Sequence, residues 1–426
     1  MILKEFIERQ FIQIRSDGII MLLRKMNKGL IILVIATPIV IIIRLIKPWL
    51  LIRFGSLMSS RIGHFVANTE VYLCEREAGI NVPLQRHVDI FYFGSNYPFD
   101  SVCNEQLALM WKRILRVWPE WILAPIVRVN RLIPNCQAHE IGNNTNEDRD
   151  INNLFDRFPS HLRFTTEENA KGEKILRDLG VPDGESFVCL NVRDSSYLSK
   201  IEGADWSFND YRDSDIQTYV LAAEELADRG YYVIRMGAKV HEAMKSNHSR
   251  VIDYASNGMR SDFMDIYLGS KCLFAISTGT GWDSVPYVFR KPICFVNFSP
   301  IGYMVTYRDC FLTISKYPFS IAKNKKMTLS EIFSDGVGLY LWTSLYESNK
   351  VKLIDNTSQE ICDVAIEMCE RINGSWSPQK DDEALQLAFW EMFPSEAVDY
   401  KGKPLHGEIR ARFGASFLRN NRDWLQ

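Results

Sequence analysis

Apolar positions along this chain fall into two rhythms: short apolar runs that stop at glycine or a polar cluster, and longer stretches with a helical period. LLIRF (50–54) predicts a strand running into Gly55, and SLMSSRIGHF then opens a helical pattern continued by VANTEVYLCERE. Strand, glycine-containing loop and helix form the opening unit of a doubly wound sheet. HVDIFYFG (87–94) predicts the next strand, residues 104–117 carry a helical period, and WILAPIVRV (121–129) is compatible with either a strand or a helix. A polar stretch near 143–153 reads as a linker.

The second half alternates in the order a parallel sheet requires. SFVCLNVR (186–193), YYVIRMG (231–237), RVIDYA (250–255), CLFAIS (272–277) and ICFVN (293–297) predict strands, the last closing the series. Helical patterns separate them at 214–229, stopped by Gly230, at 262–269 and at 282–290, closed by Lys291-Pro292. After about residue 328 the pattern turns helical, with 358–372 and 381–393 the clearest segments. The expected division is a segment 1–49, a smaller α/β domain 50–175, a second α/β domain 176–330 and a helical extension 331–426.

Charge changes the picture at the N-terminus. The whole chain of 426 residues is close to neutral, with 50 Lys and Arg against 52 Asp and Glu. No overall basic field exists for a nucleic-acid backbone, and nucleic acid is not an expected partner. Residues 1–60, however, hold nine basic and three acidic residues around an uncharged run, GLIILVIATPIVIII (29–43). As a helix that run reaches about 22 Å, short of a hydrocarbon layer roughly 30 Å thick. With basic flanks and Pro38 inside it, it is expected to attach the chain to the cytoplasmic face of a membrane, either as a monotopic insertion or as a short span. A buried core helix followed by the first strand is the plainer alternative. Nine scattered cysteines without a C-x-x-C pair read as reduced thiols, neither a disulfide framework nor a zinc site.

Candidate chemistry concentrates at strand ends. Ser277-Thr278-Gly279-Thr280-Gly281-Trp282-Asp283 lies between an apolar strand and a helix. Small residues there let backbone approach a ligand, and amides with the Ser277, Thr278 and Thr280 hydroxyls suit a diphosphate; a tight turn that needs its glycines is the bland reading. It is neither a G-K-[ST] phosphate loop nor a G-x-G-x-x-G fingerprint. Arg193-Asp194-Ser195 follows another strand and Tyr211-Arg212 precedes a helix. Two arginines aimed into a crevice suit bidentate phosphate binding and can neutralise a departing diphosphate without a metal, whereas surface ion pairs with Asp194 and Asp213 are the structural reading. Arg235 and Gly237 end one strand, and Asp253 ends the next, where a carboxylate can accept hydrogen bonds from a sugar or ribose or simply cap a turn. His64, in Arg61-Ile62-Gly63-His64, is a candidate base for an acceptor hydroxyl, and Glu70, six residues on, is a second base or a partner to it. No H-E-x-x-H, paired histidines or G-x-S-x-G is present, so neither metal catalysis nor a serine hydrolase is indicated, and no cofactor is expected.

The stretch VCLNVRDSSYLS, YRDSDIQTYVLAAEELADRGYYVIRMG, VIDYA and SDFMDIYLGSKCLFAISTGTGWDSVPYVFRKPICFVNFSP resembles a family of bacterial glycosyltransferases of surface polysaccharide synthesis, over about residues 50–320. SSRIGHFVANTEVYL is similar to that family's opening motif. More distantly, the block at 272–297 resembles the donor-binding segment of bacterial heptosyltransferases, which pair two Rossmann-like domains in the GT-B arrangement. The resemblance implies a GT-B-like α/β fold with an acceptor domain before a donor domain, and a donor diphosphate on Ser277–Gly281. It places His64 where the heptosyltransferase R-x-G-D-like loop carries an aspartate base. Arg193 looks like the diphosphate-binding arginine of fucosyltransferases, with Asn191 where those enzymes usually have histidine. The implied activity moves a sugar from a nucleotide-sugar donor to a lipid-linked, lipopolysaccharide or surface-polysaccharide acceptor. A nucleotide-sugar epimerase and a membrane-anchored scaffold that keeps a degenerate transferase fold are the rival expectations. The missing Tyr-x-x-x-Lys pair argues against the first, and His64 in place of an acid feeds the second.

Overall fold

The computed structural model describes residues 34–94, 102–141, 147–194 and 206–426. Its contacts divide the chain into two units, a smaller one of residues 1–57, 81–94 and 115–143 and a larger one of 58–80, 95–114 and 144–426. In chain order the first elements are α1 (34–46), β1 (Leu51–Leu57), α2 (Ile62–Glu77), β2 (His87–Phe93), α3 (Glu105–Ile114) and α4 (Glu120–Arg131).

In the smaller unit β1 and β2 run parallel, in register from Leu51 opposite His87 to Leu57 opposite Phe93. Single bridges from Phe54 to Glu140 and from Phe91 to Val117 extend the pairing on either side. Gly55 lies inside β1, not in a loop after it; a Cβ there would sit 2.7 Å from the Phe91 ring. WILAPIVRV resolves as helix, because Leu123, Ile126, Val127 and Val129 form one face against Ala36, Val40 and Ile43 of α1. Arg53 and Asp89, opposite each other in the ladder, form a buried bidentate pair at 2.7 Å. No helix of the described residues is long and apolar enough to cross a membrane; α1 takes residues 34–43 of the uncharged run, while 29–33 lie outside the described residues.

The larger unit is built on a seven-stranded sheet, all parallel, whose strands lie in the order β12 (Arg412–Phe413), β8 (Phe311–Ser315), β7 (Ile293–Phe298), β6 (Ala275–Ser277), β3 (Phe187–Asn191), β4 (Tyr232–Met236), β5 (Val251–Ile252). It adds α5 (Thr166–Asp178), β3 (Phe187–Asn191), α6 (Val220–Asp228), β4 (Tyr232–Met236), β5 (Val251–Ile252), α7 (Asp262–Lys271), β6 (Ala275–Ser277), α8 (Ser284–Val288) and β7 (Ile293–Phe298). β3, β6 and β7 are buried at every position, which is why they read as unbroken apolar runs rather than alternating ones.

The strand series does not close at β7. β8 (Phe311–Ser315) continues the sheet, β9 (Tyr317–Ser320) joins β10 (Lys325–Lys326) and β11 (Val351–Ile354) in an antiparallel sheet of three, and β12 (Arg412–Phe413) returns to pair with β8. The tail therefore has its two expected helices, Ser358–Asn373 and Asp382–Met392, but contributes strands too. A two-residue strand has no period of its own; only its partner about a hundred residues earlier makes it a strand.

Candidate functional site

The strand order of the large sheet reverses between β3 and β6, the topological switch point beside which ligands of open α/β sheets bind. β3 ends at Asn191 and delivers Arg193; its neighbour β6 ends at Ser277 and delivers the glycine turn. A cleft of about 720 Å³ opens there, and every residue lining it belongs to the larger unit.

The turn is braced from within. Ser277 is fully buried and donates to Asp283 Oδ2 at 3.0 Å, and the Thr280 amide donates to the same oxygen at 2.7 Å. Thr278 Oγ1 accepts from the Arg193 amide at 3.0 Å, tying the loops after β3 and β6 together. Thr280 Oγ1 accepts from Asn191 Nδ2 and from the Trp282 amide. Ser277 and Thr278 are thus brace residues behind the cleft wall, and the lining falls to Gly279, Thr280, Gly281, Trp282 and Asp283. Gly279 has φ +76°, and a Cβ there would meet the Phe298 ring at 2.7 Å, so the position requires glycine on both counts.

Two guanidinium groups flank this turn. Arg212 donates to the Gly279 carbonyl. Arg193 Nε lies 3.2 Å from Asp213 Oδ1, yet neither atom makes a hydrogen bond among the described residues. Burial, with the Arg212 charge beside it, pulls the Arg193 guanidinium below its usual range. Burial also pushes the Asp213 carboxyl up to about 6, with Arg193 opposing. Arg193 and Arg212 thus line the cleft side by side, with Asp213 a poorly aligned, reluctantly ionised neighbour of Arg193, and an anion bound there could pair with both guanidinium groups. Asp283 beneath the turn is pushed up to about 7 by burial, the Ser277 hydroxyl and Thr280 amide pulling it back. A carboxyl only about half ionised near pH 7 carries less negative charge beneath the turn than an ordinary aspartate would.

Gly63 reaches the turn from the other side. A Cβ on it would lie 3.0 Å from Gly281 Cα and 3.1 Å from the Gly281 carbonyl oxygen, so α2 begins in backbone contact with the turn. One residue on, His64 lines the cleft with Nδ1 3.2 Å from Asn68 Oδ1 and 3.9 Å from Asp148 Oδ2. With Nδ1–H donating to Asn68, Nε2 is left to accept a proton.

Glu70 is not a cleft residue. It is fully buried, paired with Arg290 at 2.7 Å and accepting from the His161 amide at 3.2 Å. Arg290 lies 220 positions along the chain, so no local spacing reveals this capture. Glu70, Cys74 and His161 bring metal-ligand atoms within 4.8 Å of one another. The Arg290 cation occupies the same place, and burial together with Glu70 pushes the Cys74 thiol up to about 12, so the trio is an ion-pair network.

Arg235 and Asp253 are likewise taken by each other, at 3.0 Å, with Arg235 also donating to the Glu242 carbonyl. Neither lines the cleft, whereas Gly237 at the end of β4 does. Asp194 and Tyr211 line it, Asp194 accepting from the His241 amide at 3.0 Å. Ser195 lies outside the described residues. Sequence reasoning missed Asp148 and Arg149, which reach the cleft from the stretch read as linker. It also missed Trp206, Arg260 and Tyr303; for Trp206, an aromatic residue in a polar loop was the available signal.

No protein-family model matches the chain, and no curated protein matches it. Among solved structures it is similar to a glycosyltransferase family 9 protein from Veillonella parvula, 11% identical over 75% of this chain and 97% of that one, with a TM-score of 0.43. It is also similar to E. coli ADP-heptose lps heptosyltransferase II, 12% identical over 58% of this chain and 86% of that one, TM-score 0.33. E. coli heptosyltransferase WaaC with ADP-2-deoxy-2-fluoro heptose is 14% identical over 70% of this chain and all of that one, TM-score 0.29.

Proposed function

We propose that this protein is a GT-B-like glycosyltransferase that moves a sugar from a nucleotide-sugar donor to a lipid-linked, lipopolysaccharide or surface-polysaccharide acceptor at the cytoplasmic face of a membrane. The observation that carries the reading is the convergence of Arg193, Arg212 and the Gly279–Gly281 turn on one cleft at the switch point of the sheet. The acceptor oxygen bonds to the anomeric carbon, the bond from that carbon to the diphosphate breaks, and its electron pair leaves on the diphosphate. Arg193 and Arg212 hold that charge, so the departure needs no metal, and such stabilisation is the largest contribution to rate. His64 Nε2 takes the proton of the acceptor hydroxyl, with Asn68 and Asp148 behind Nδ1, adding about 10²- to 10⁴-fold. Turnover of a nucleotide-sugar panel by wild type and Arg193→Ala tests the reading. The variant is expected to lose about 10²- to 10³-fold in kcat. Unchanged turnover would remove Arg193 from the mechanism.

A further inference from the structure

The smaller unit carries an apolar face that its described residues leave uncovered. One stripe of α1, Ala36, Val40 and Ile43, is buried against α4. The opposite side of the helix is apolar as well: Val34, Ile35, Ile39, Ile41, Ile42 and Leu45 are between 37% and 67% exposed. At about 100° per residue these positions occupy a continuous arc roughly 160° wide that contains no polar side chain. Trp49, just past the helix, is 76% exposed, and Trp121 of α4 is 78% exposed. An exposed apolar arc together with exposed tryptophans in the same unit has the composition of a membrane-interface surface.

Charge selects the occupant. The described residues of this unit hold seven Lys and Arg against three Asp and Glu, although the whole chain is slightly acidic. Two of the seven cations are held by internal ion pairs, Arg53 with Asp89 and Arg131 with Glu140. Arg44, Lys47, Arg86, Arg116 and Arg128 remain against Glu120 alone. A second copy docking here would set like charge against like charge, whereas an anionic lipid surface complements it.

The orientation follows from how α1 is held. Arg44 binds it to α4 through Asn130 Oδ1 at 2.9 Å and to the Pro134 carbonyl at 2.7 Å. A helix sewn into its unit by its polar end and one apolar stripe is not free to leave as a span.

We infer that the arc of α1 lies flat in the headgroup boundary of an anionic membrane, docking the smaller unit as a monotopic surface rather than threading it through the bilayer. This deepens the membrane placement in the proposed function but does not depend on the transfer chemistry. The test is flotation of the full chain with phosphatidylcholine vesicles and with vesicles that also contain phosphatidylglycerol, comparing wild type with Ile39→Glu/Ile42→Glu. Wild type should float with the anionic vesicles, less so at high salt, and the variant should partition at least about tenfold more weakly. The variant's melting temperature and nucleoside-diphosphate binding should equal those of wild type, which separates loss of docking from misfolding and from failure of the catalytic reading. Wild type left unbound, equal flotation of the variant, or a wild-type dimer dissociated by the two substitutions would each overturn the inference.

Discussion

Asp283 shows how far a residue's role departs from its letter. In sequence it is an acid at a helix start, yet it is buried beneath the turn and its carboxyl is pushed up to about 7. Its folded-state value exceeds the ordinary 3.8, so between about pH 4 and pH 7 the folded chain holds a proton that the unfolded chain has released. Its contribution to stability is therefore present in acid and lost as pH rises through that window. Asp283→Asn keeps an oxygen for Ser277 and Thr280 but cannot ionise. Melting temperatures across the window should fall less with rising pH in the variant than in wild type; parallel curves would contradict the assignment. The same scale explains what local reading of the chain missed. Arg193, Arg212 and the glycines were legible because strand ends and small-residue turns are local signals. Glu70 and Asp253 were misplaced because their partners, Arg290 and Arg235, are supplied by tertiary folding. Asp148 was passed over because a carboxylate in a polar stretch has no signature until the chain folds it beside His64.

At the scale of elements, the cleft depends on α2 starting where Gly63 touches Gly281. Gly63→Ala inserts a methyl group 3.0 Å from backbone that cannot rotate away, an overpacking that typically costs about 1–3 kcal/mol. The variant should melt at lower temperature and bind nucleoside diphosphate more weakly, because relief of the contact moves the turn. Wild-type melting and affinity would show that the approach is not needed. The buried strands at the heart of the sheet could be read because their apolar runs are bounded by turn residues. WILAPIVRV was ambiguous, since only packing against α1 gives its apolar positions a helical face. β12 was invisible for a related reason: its pairing partner β8 lies about a hundred residues earlier in the chain.

For the whole molecule, charge is divided unevenly between the two units. The described residues of the smaller unit carry a net positive charge and an exposed apolar helix face, and every residue lining the cleft belongs to the larger unit. The basic N-terminal bias and the uncharged run were plain in the sequence, whereas the way α1 is tied to α4 was not, because Arg44 finds Asn130 86 residues later. On this account the two units act by separable physics: lipid composition governs where the protein sits, and the arginine pair governs what it binds.

The central claim, that both arginines serve one diphosphate, is tested most directly by calorimetric titration of nucleoside diphosphates into wild type, Arg193→Ala, Arg212→Ala and the double variant. At least one nucleoside diphosphate should bind wild type, each single variant should weaken it about tenfold or more, and the two losses should be non-additive, as expected for groups sharing one ligand. Binding that survives Arg193→Ala undiminished, or no binding of any nucleoside diphosphate by wild type, would contradict it.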